Sequence, residues 1–178
     1  MIRRRLPLLT GAFFDKADEL YQALSKIEGR AEVFYQRASL LIRSGKIGEA
    51  RKQSEQALEL AKAINNQPQQ IKTMLQMVYI LQQEGETAEA QKLASAAVDL
   101  AQAGNMENLT AMGFIDLGTV YLLRSDYTEA EKYIKQGLEF AQRFKARHTE
   151  ARAMLLLGSL RVQQSNGDEA AAYRPGKG

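Results

Sequence analysis

The chain has no cysteine, no tryptophan, one histidine and three prolines in 178 residues. Without cysteine there is no disulfide framework, no thiolate zinc site and no cysteine nucleophile. With His148 alone, a multi-histidine metal site is excluded as well. Charge of one sign is also scarce: 24 Lys and Arg stand against 21 Asp and Glu, a formal +3. That surplus is too small to announce a nucleic-acid or anionic-membrane partner. Long apolar runs are missing too. The start, Met1 to Leu9, has the basic and apolar look of a targeting segment, but Pro7 and Gly11 break it and Asp15 to Glu19 follow. It is too short and too polar to span a membrane, so the expected compartment is the cytoplasm. What remains is 45% hydrophobic and rich in Ala, Leu, Gln, Glu and Lys. That is helix-forming composition, and it points to an all-α protein.

The strongest signal is a repeat. Glu-Ala recurs at Glu49-Ala50, Glu89-Ala90, Glu129-Ala130 and Glu169-Ala170, each step 40 residues. Twelve residues earlier stand Ala38, Val78, Gly118 and Gly158, and sixteen earlier Phe34, Met74, Phe114 and Met154. Seven later come Ala57, Ala97 and Gly137, followed by Leu58, Val98 and Leu138. Each unit reads as two helices. In the third, Phe114, Leu117, Gly118 and Tyr121 mark one helical face, and Tyr127, Ala130, Ile134, Gly137, Leu138 and Ala141 mark a second. Ser125-Asp126 makes the turn between them, and Gly45 and Gly85 occupy the same place in the first two units, where a positive φ favours glycine. Small residues in the 38/78/118/158 column and at Ala50, Ala90 and Ala130 let backbones approach closely. A hairpin of this kind must stack on its neighbours to bury its apolar face.

At these columns the sequence resembles the tetratricopeptide repeat. Phe34, Ala38, Leu41, Ala50, Ala57 and Leu58 hold its signature positions in the first full unit. Phe114, Leu117, Gly118, Tyr121, Ala130, Ile134 and Gly137 hold them in the third. The match covers about residues 31–173. The period is 40 against about 34 in the common form, as in the lengthened-helix arrays of bacterial signalling proteins. The usual inter-repeat proline is absent, although Pro68 opens a helix at its first turn. The resemblance implies an α-solenoid, a right-handed superhelix of stacked antiparallel hairpins. Its expected divisions are a basic and apolar segment 1–13, an N-terminal helix 14–29, repeats at 30–67, 68–106 and 107–148, a truncated repeat 149–173 and a tail 174–178. The N-terminal helix runs from Phe14 to Glu28 and is stopped by Gly29. In the fourth unit the first helix covers about 150–164, and the second runs only from Asp168 to Tyr173. That leaves Met154, Leu155, Leu156, Leu157 and Leu160 with little to cover them.

Catalytic constellations are lacking. There is no Gly-rich phosphate loop, HExxH, Gly-x-Ser-x-Gly or EF-hand loop. His148, in Arg147-His148-Thr149-Glu150, has no sequence-local partners and reads as a surface or capping residue. The ladder Glu49, Glu89, Glu129 and Glu169 falls in the first turns of second helices, where carboxylates favour the helix dipole. Arg143, Lys145, Arg147, His148 and Arg152 form a basic stretch, and Arg3, Arg4 and Arg5 lie at the other end. Phe144 alone is weak support for nucleic-acid binding, so a solvated helix end is the reading. No enzyme, metal or cofactor is expected, and no nucleic-acid or membrane partner.

The candidate site is the face of each first helix that points away from the hairpin seam. In the family this is the concave surface. It comprises Glu32, Tyr35, Ser39, Ile42 and Arg43, then Lys72, Leu75, Tyr79, Gln82 and Gln83. Met112, Ile115, Thr119, Leu122 and Leu123 follow, and then Arg152, Leu155, Ser159, Val162 and Gln163. Half are apolar or aromatic, whereas a solvent-facing surface should be polar. The helix 109–123 is apolar nearly all round, which means burial on more than one side. Two readings stand: close packing inside a tight superhelix, and a groove for an apolar-anchored peptide rimmed by Arg43, Lys72 and Arg152. Some family members clamp a peptide's terminal carboxylate with Lys and Asn. Those positions hold Tyr35, Ser39, Gln76 and Leu156 here, which argues against such a clamp. The expected role is a non-catalytic scaffold for a protein or peptide. The alternatives are a peptide-sensing regulatory segment of a larger bacterial kinase, cyclase or transcription regulator, and a homodimerisation module that buries the groove or the uncapped C-terminal end.

Overall fold

The computed structural model describes the backbone of residues 6–172 and the side chains of residues 11–165. Residues 1–5 and the tail from Tyr173 lie outside. Among the described residues there are eight helices: α1 (Leu6–Ala23), α2 (Ile27–Arg43), α3 (Ile47–Ala63), α4 (Gln67–Glu84), α5 (Thr87–Ala103), α6 (Glu107–Leu123), α7 (Tyr127–Arg143) and α8 (Arg147–Ala172). None is long and apolar enough to cross a membrane.

The corners between helices repeat every 20 residues, half the sequence period. Ser25, Gly45, Asn65, Gly85, Asn105, Ser125 and Lys145 all have positive φ, between 52° and 80°. Each corner closes the same way. At the second, the N–H of Lys46 donates to the carbonyl of Leu41 at 2.9 Å and that of Gly45 to Ile42 at 3.0 Å. At the sixth, Asp126 donates to Tyr121 and Ser125 to Leu122, both at 3.0 Å. These are the paired bonds of a Schellman ending, which satisfy carbonyls the helix leaves open. The residue that closes the corner also caps the next helix, because Ala50 N–H donates to Lys46 O and Ala130 N–H to Asp126 O. Asn66 and Asp126 add side-chain caps, accepting from the N–H of Gln69 and Glu129. Pro68 sits in the first turn of α4, where its missing N–H costs nothing.

The chain forms two compact units, residues 1–93 and 94–178. In the first, α1 packs on α2, α2 on α3, and α4 on both α3 and α2. Arg30 pairs with Asp18 at 2.7 Å and Arg37 with Asp15 at 2.6 Å, tying α1 to α2. Arg51 reaches Glu84 and Glu86 at 2.7 and 3.1 Å, tying α3 to the end of α4. In the second unit α6 packs on α7, and α8 on both. The α6–α7 crossing is close. A Cβ at Gly118 would meet Ile134 Cγ1 at 2.6 Å and the Ala130 carbonyl at 3.1 Å; one at Gly137 would meet Ile115 Cγ1 at 2.6 Å and the Ala111 carbonyl at 2.9 Å. Each glycine therefore receives an isoleucine from the facing helix. Within each unit antiparallel hairpins stack, and the fold is the all-α arrangement of a solenoid.

Two expectations need correction. The helix expected over 14–29 runs instead from Leu6 to Ala23, taking in residues of the expected segment 1–13, and Gly29 lies inside α2. The break falls at Ser25, which keeps the 20-residue spacing, and Gly29 instead makes room for the Tyr21 ring, which a Cβ there would meet at 2.3 Å. The second helix expected from Asp168 is also not separate. α8 runs unbroken to Ala172, so Glu169 lies near the end of a helix instead of in a first turn. Continuing the existing helix forms one more bond for each added residue, without a second nucleation step.

Three glycines make the packing testable by urea unfolding. Gly85 has open space around it but a φ of 80°, so Gly85→Ala should cost about 1 kcal/mol from backbone strain alone. Gly137→Ala should cost about 1–3 kcal/mol, because the added methyl meets backbone that cannot yield cheaply. Gly158 has neither constraint, and Gly158→Ala should stabilise by up to about 1 kcal/mol through helix propensity. Equal effects at all three would refute this account.

Candidate functional site

The face of α2 and α4 in the first unit is organised by one side chain. Gln76 donates to Ser39 Oγ at 2.7 Å and to the Tyr35 carbonyl at 3.3 Å, and its Oε1 accepts from Ser54 Oγ at 3.0 Å. Ser39 in turn donates to the Tyr35 carbonyl at 3.1 Å. This network joins α2, α3 and α4 and uses the polar capacity of Ser39 internally. Tyr35 is half-buried, and its phenol pKa is pushed up by burial and then by Glu32. Ile42 is half-buried, Arg43, Lys72 and Gln83 are exposed, and Tyr79 is 44% exposed. Gln82 is half-buried, and its Nε2 is shielded from solvent without a hydrogen-bond partner. Leu75 is a correction. At 4% exposure it belongs to the core, and α4 as a whole is covered on more than one side.

At one end of this face lies a cleft of about 740 Å³, with Glu32 and Lys72 from the predicted set on its wall. Tyr21, Leu24 and Pro68 supply apolar lining, and Glu28 and Lys26 add a second pair of opposite charges. The contribution of α1 was not legible from the repeat columns, because α1 precedes the first full unit.

In the second unit the face of α6 and α8 divides differently. Ile115 and Leu122 are buried, at 0% and 9% exposure. They correct the predicted groove, since Ile115 packs into the α6–α7 crossing beside Gly137. Met112 and Thr119 are half-buried, and the Thr119 hydroxyl donates to the Ile115 carbonyl at 2.8 Å. Leu123, Leu155 and Val162 remain exposed at 56%, 76% and 60%, and Ser159 and Gln163 are exposed beside them. Arg152 is no free rim cation: it forms an ion pair with Asp116 of α6. Burial raises the Asp116 pKa, and Arg152 opposes the shift. This pair occupies the place that Gln76 holds one repeat earlier.

The basic stretch is exposed at Arg143, Lys145, Arg147 and His148. The Arg143 guanidinium lies 5.3 Å from the Phe144 ring centroid and Arg147 pairs with Glu150 at 3.1 Å. Glu49, Glu89 and Glu129 do fall in the first turns of α3, α5 and α7. No cluster of three metal-ligating side chains occurs among the described residues.

Asp116 gives a pH test with a defined sign. Its folded-state pKa lies above the ordinary carboxylate value of 3.8, so the folded state binds the proton more tightly than the unfolded state. This group's contribution to stability therefore falls as pH rises through the folded-state pKa. Asp116→Asn removes the titration and keeps an acceptor for Arg152. The stability difference, wild type minus variant, should move in favour of wild type as pH drops from 7 towards 4 in urea unfolding. A difference that is constant or moves the other way would refute the assignment.

Tetratricopeptide repeat family profiles match residues 69–143 and 31–64. A comparison with curated protein sequences finds no match. Solved structures similar to this chain include the apo form of RapI, at 17% identity and a TM-score of 0.79, covering 96% of this chain and 62% of that one. Aspartyl phosphate phosphatase F from Bacillus subtilis aligns at 16% identity and a TM-score of 0.77, over 91% of this chain and 43% of that one. A Rap protein complexed with competence and sporulation factor aligns at 17% and 0.72, over 92% and 48%. The chain thus spans 43–62% of the length of these neighbours, and at such identity they speak for the fold. Taken with the hairpin columns and the corners described above, the profile matches establish that this chain belongs to the tetratricopeptide repeat family.

Proposed function

We propose that the chain is a non-catalytic scaffold, in the cytoplasm of a bacterium, that binds a protein segment or peptide on the exposed faces of its first helices. One observation carries the reading. After hairpin packing has buried Leu75, Ile115 and Leu122, the side chains left exposed on those faces still include Tyr79, Leu123, Leu155 and Val162. Large apolar groups left exposed on a helix face, Tyr79 in the first unit and the other three in the second, are what an apolar-anchored segment needs. The cleft beside Glu32 and Lys72 offers depth and charges of both signs at one end of the α2–α4 face. The structural neighbours include a Rap protein complexed with competence and sporulation factor, which is compatible with ligand binding on this fold.

A second reading is a regulatory segment of a larger protein, favoured by the 43–62% of the neighbours' lengths that the chain spans. A third is homodimerisation through Leu123, Leu155 and Val162, favoured by their exposure. Variants separate these. Leu123→Glu and Tyr79→Ala sit at exposed positions and should leave helicity by circular dichroism unchanged. Each should reduce recovery of a bound partner on the immobilised chain at least tenfold. Unchanged recovery would sink the groove reading. Light scattering that shows a dimer dissociated by Leu123→Glu would favour the third reading instead.

A further inference from the structure

The cleft at the start of α2 and α4 has three chemically distinct walls. Glu28 and Glu32 stand one turn apart on α2 and make one wall acidic. Gln69 and Lys72, also one turn apart, are the wall that α4 supplies. Residues three or four apart share a helix face, so each pair acts as a unit. Tyr21 and Leu24, from the end of α1 and the corner after it, supply an apolar wall and remain 39% and 65% exposed. The walls of α2 and α4 are braced against each other. The Asn66 side chain donates to Glu28 Oε1 at 3.3 Å, and its Oδ1 accepts from the Gln69 N–H at 3.1 Å. The cavity volume of about 740 Å³ lies in the range that holds a small organic ligand.

The fold leaves two features of this cleft incomplete. The first is charge. Glu28 and Glu32 accept hydrogen bonds from the neutral side chains of Asn66 and Gln36. Among the described residues no ion pair joins either carboxylate to Lys26 or Lys72, the cations of the same cleft. Two carboxylates and two ammonium groups thus line one cavity without neutralising one another. The second is Gln69, which lines the cleft and is only 7% exposed. Its Nε2 is shielded and has no hydrogen-bond partner, an unfavourable state for a buried donor. The last torsion of a glutamine is broad and two-fold, so a half-turn exchanges nitrogen and oxygen and turns the donor to the cleft. Hairpin packing accounts for neither feature, since the seams of α2 and α3 are small or apolar residues.

We propose that this cleft binds a short peptide with both ends free, in its zwitterionic form. The ammonium end faces Glu28 and Glu32, the carboxylate end faces Lys72, and a peptide group between them meets the Gln69 amide. A primary amide carries both a donor and an acceptor, which matches the N–H and C=O of a peptide group. An apolar side chain of the ligand lies on Tyr21 and Leu24. A continuous protein segment lacks the two terminal charges, so the cleft selects free ends over an internal stretch of chain. The inference rests on the peptide-binding reading above and narrows it at one end of the α2–α4 face. Tyr79 is not part of the cleft wall, so the two can fail separately.

The test is isothermal titration of the full chain with the tripeptide Ala-Leu-Ala, which should bind saturably. Acetylating its amino end or amidating its carboxyl end should each weaken binding at least tenfold. Glu32→Gln and Lys72→Gln in the chain should do the same, with circular dichroism unchanged. Gln69→Leu separates a binding role from a packing one. It should weaken binding at least tenfold while the urea midpoint stays the same or rises, because an unpaired buried donor is removed. Tyr79→Ala should leave the titration unchanged. Absence of saturable binding, equal binding of the capped tripeptides, or indifference to Glu32→Gln and Lys72→Gln would overturn the proposal. If the tripeptide fails to bind while Tyr79→Ala still cuts partner recovery, the cleft assignment falls and the groove reading stands. The converse pair of results overturns the groove and supports the cleft.

Discussion

The left-handed corner at every twentieth residue is the constraint on which the packing depends. It fixes helix length at 17 or 18 residues from α2 to α7 and closes each helix with two bonds that also start the next. Equal lengths keep the columns in register. Phe34, Met74 and Phe114 are therefore buried alike, and so are Ala38, Val78 and Gly118. One extra residue in any helix would rotate all later columns by about 100° and turn the seam out of contact. The close approach of α6 and α7 at Gly118 and Gly137 is affordable only because the corner holds both helices in that phase.

The 40-residue columns were legible because packing acts on side-chain size, and size is visible in a sequence. The 20-residue half-period was not. Its seven corner residues are Ser25, Gly45, Asn65, Gly85, Asn105, Ser125 and Lys145, which share a backbone conformation and little else. Asn and Ser tolerate that conformation through short polar side chains, and Lys145 gives no signal at all. Gly29 misled for the complementary reason. A glycine can end a helix or can make room beside one, and only the Tyr21 ring, eight residues away, distinguishes the two.

The candidate face was legible as a set of positions but not as a surface. Tyr35, Leu75, Ile115 and Leu155 occupy one column, yet they are half-buried, buried, buried and 76% exposed. A period cannot tell a helix with neighbours on every side from one with an open side. Polar commitments were hidden for a related reason. Gln76 and Ser39 are 37 residues apart and Arg152 and Asp116 are 36 apart, so each pairing exists only once two first helices lie side by side. Arg152 is thereby changed from a rim cation into the counter-ion of a partly buried carboxylate.

The eighth corner position shows how far the backbone rule reaches. Ser165 and Asn166 carry the turn chemistry of Ser125-Asp126 and of Asn65-Asn66, and Glu169-Ala170 keeps the register. The helix nevertheless continues through them. Corner residues therefore permit a turn without compelling one. A Schellman ending replaces two helical bonds by two others, close to an even exchange, and the left-handed residue adds a strain of about 1–2 kcal/mol when it is not glycine. What decides the matter is the return helix. Where a small seam such as Ala130, Ile134, Gly137 and Ala141 is available to bury, the corner forms. The corners set the phase of the array, and the seams that follow them decide whether each corner exists.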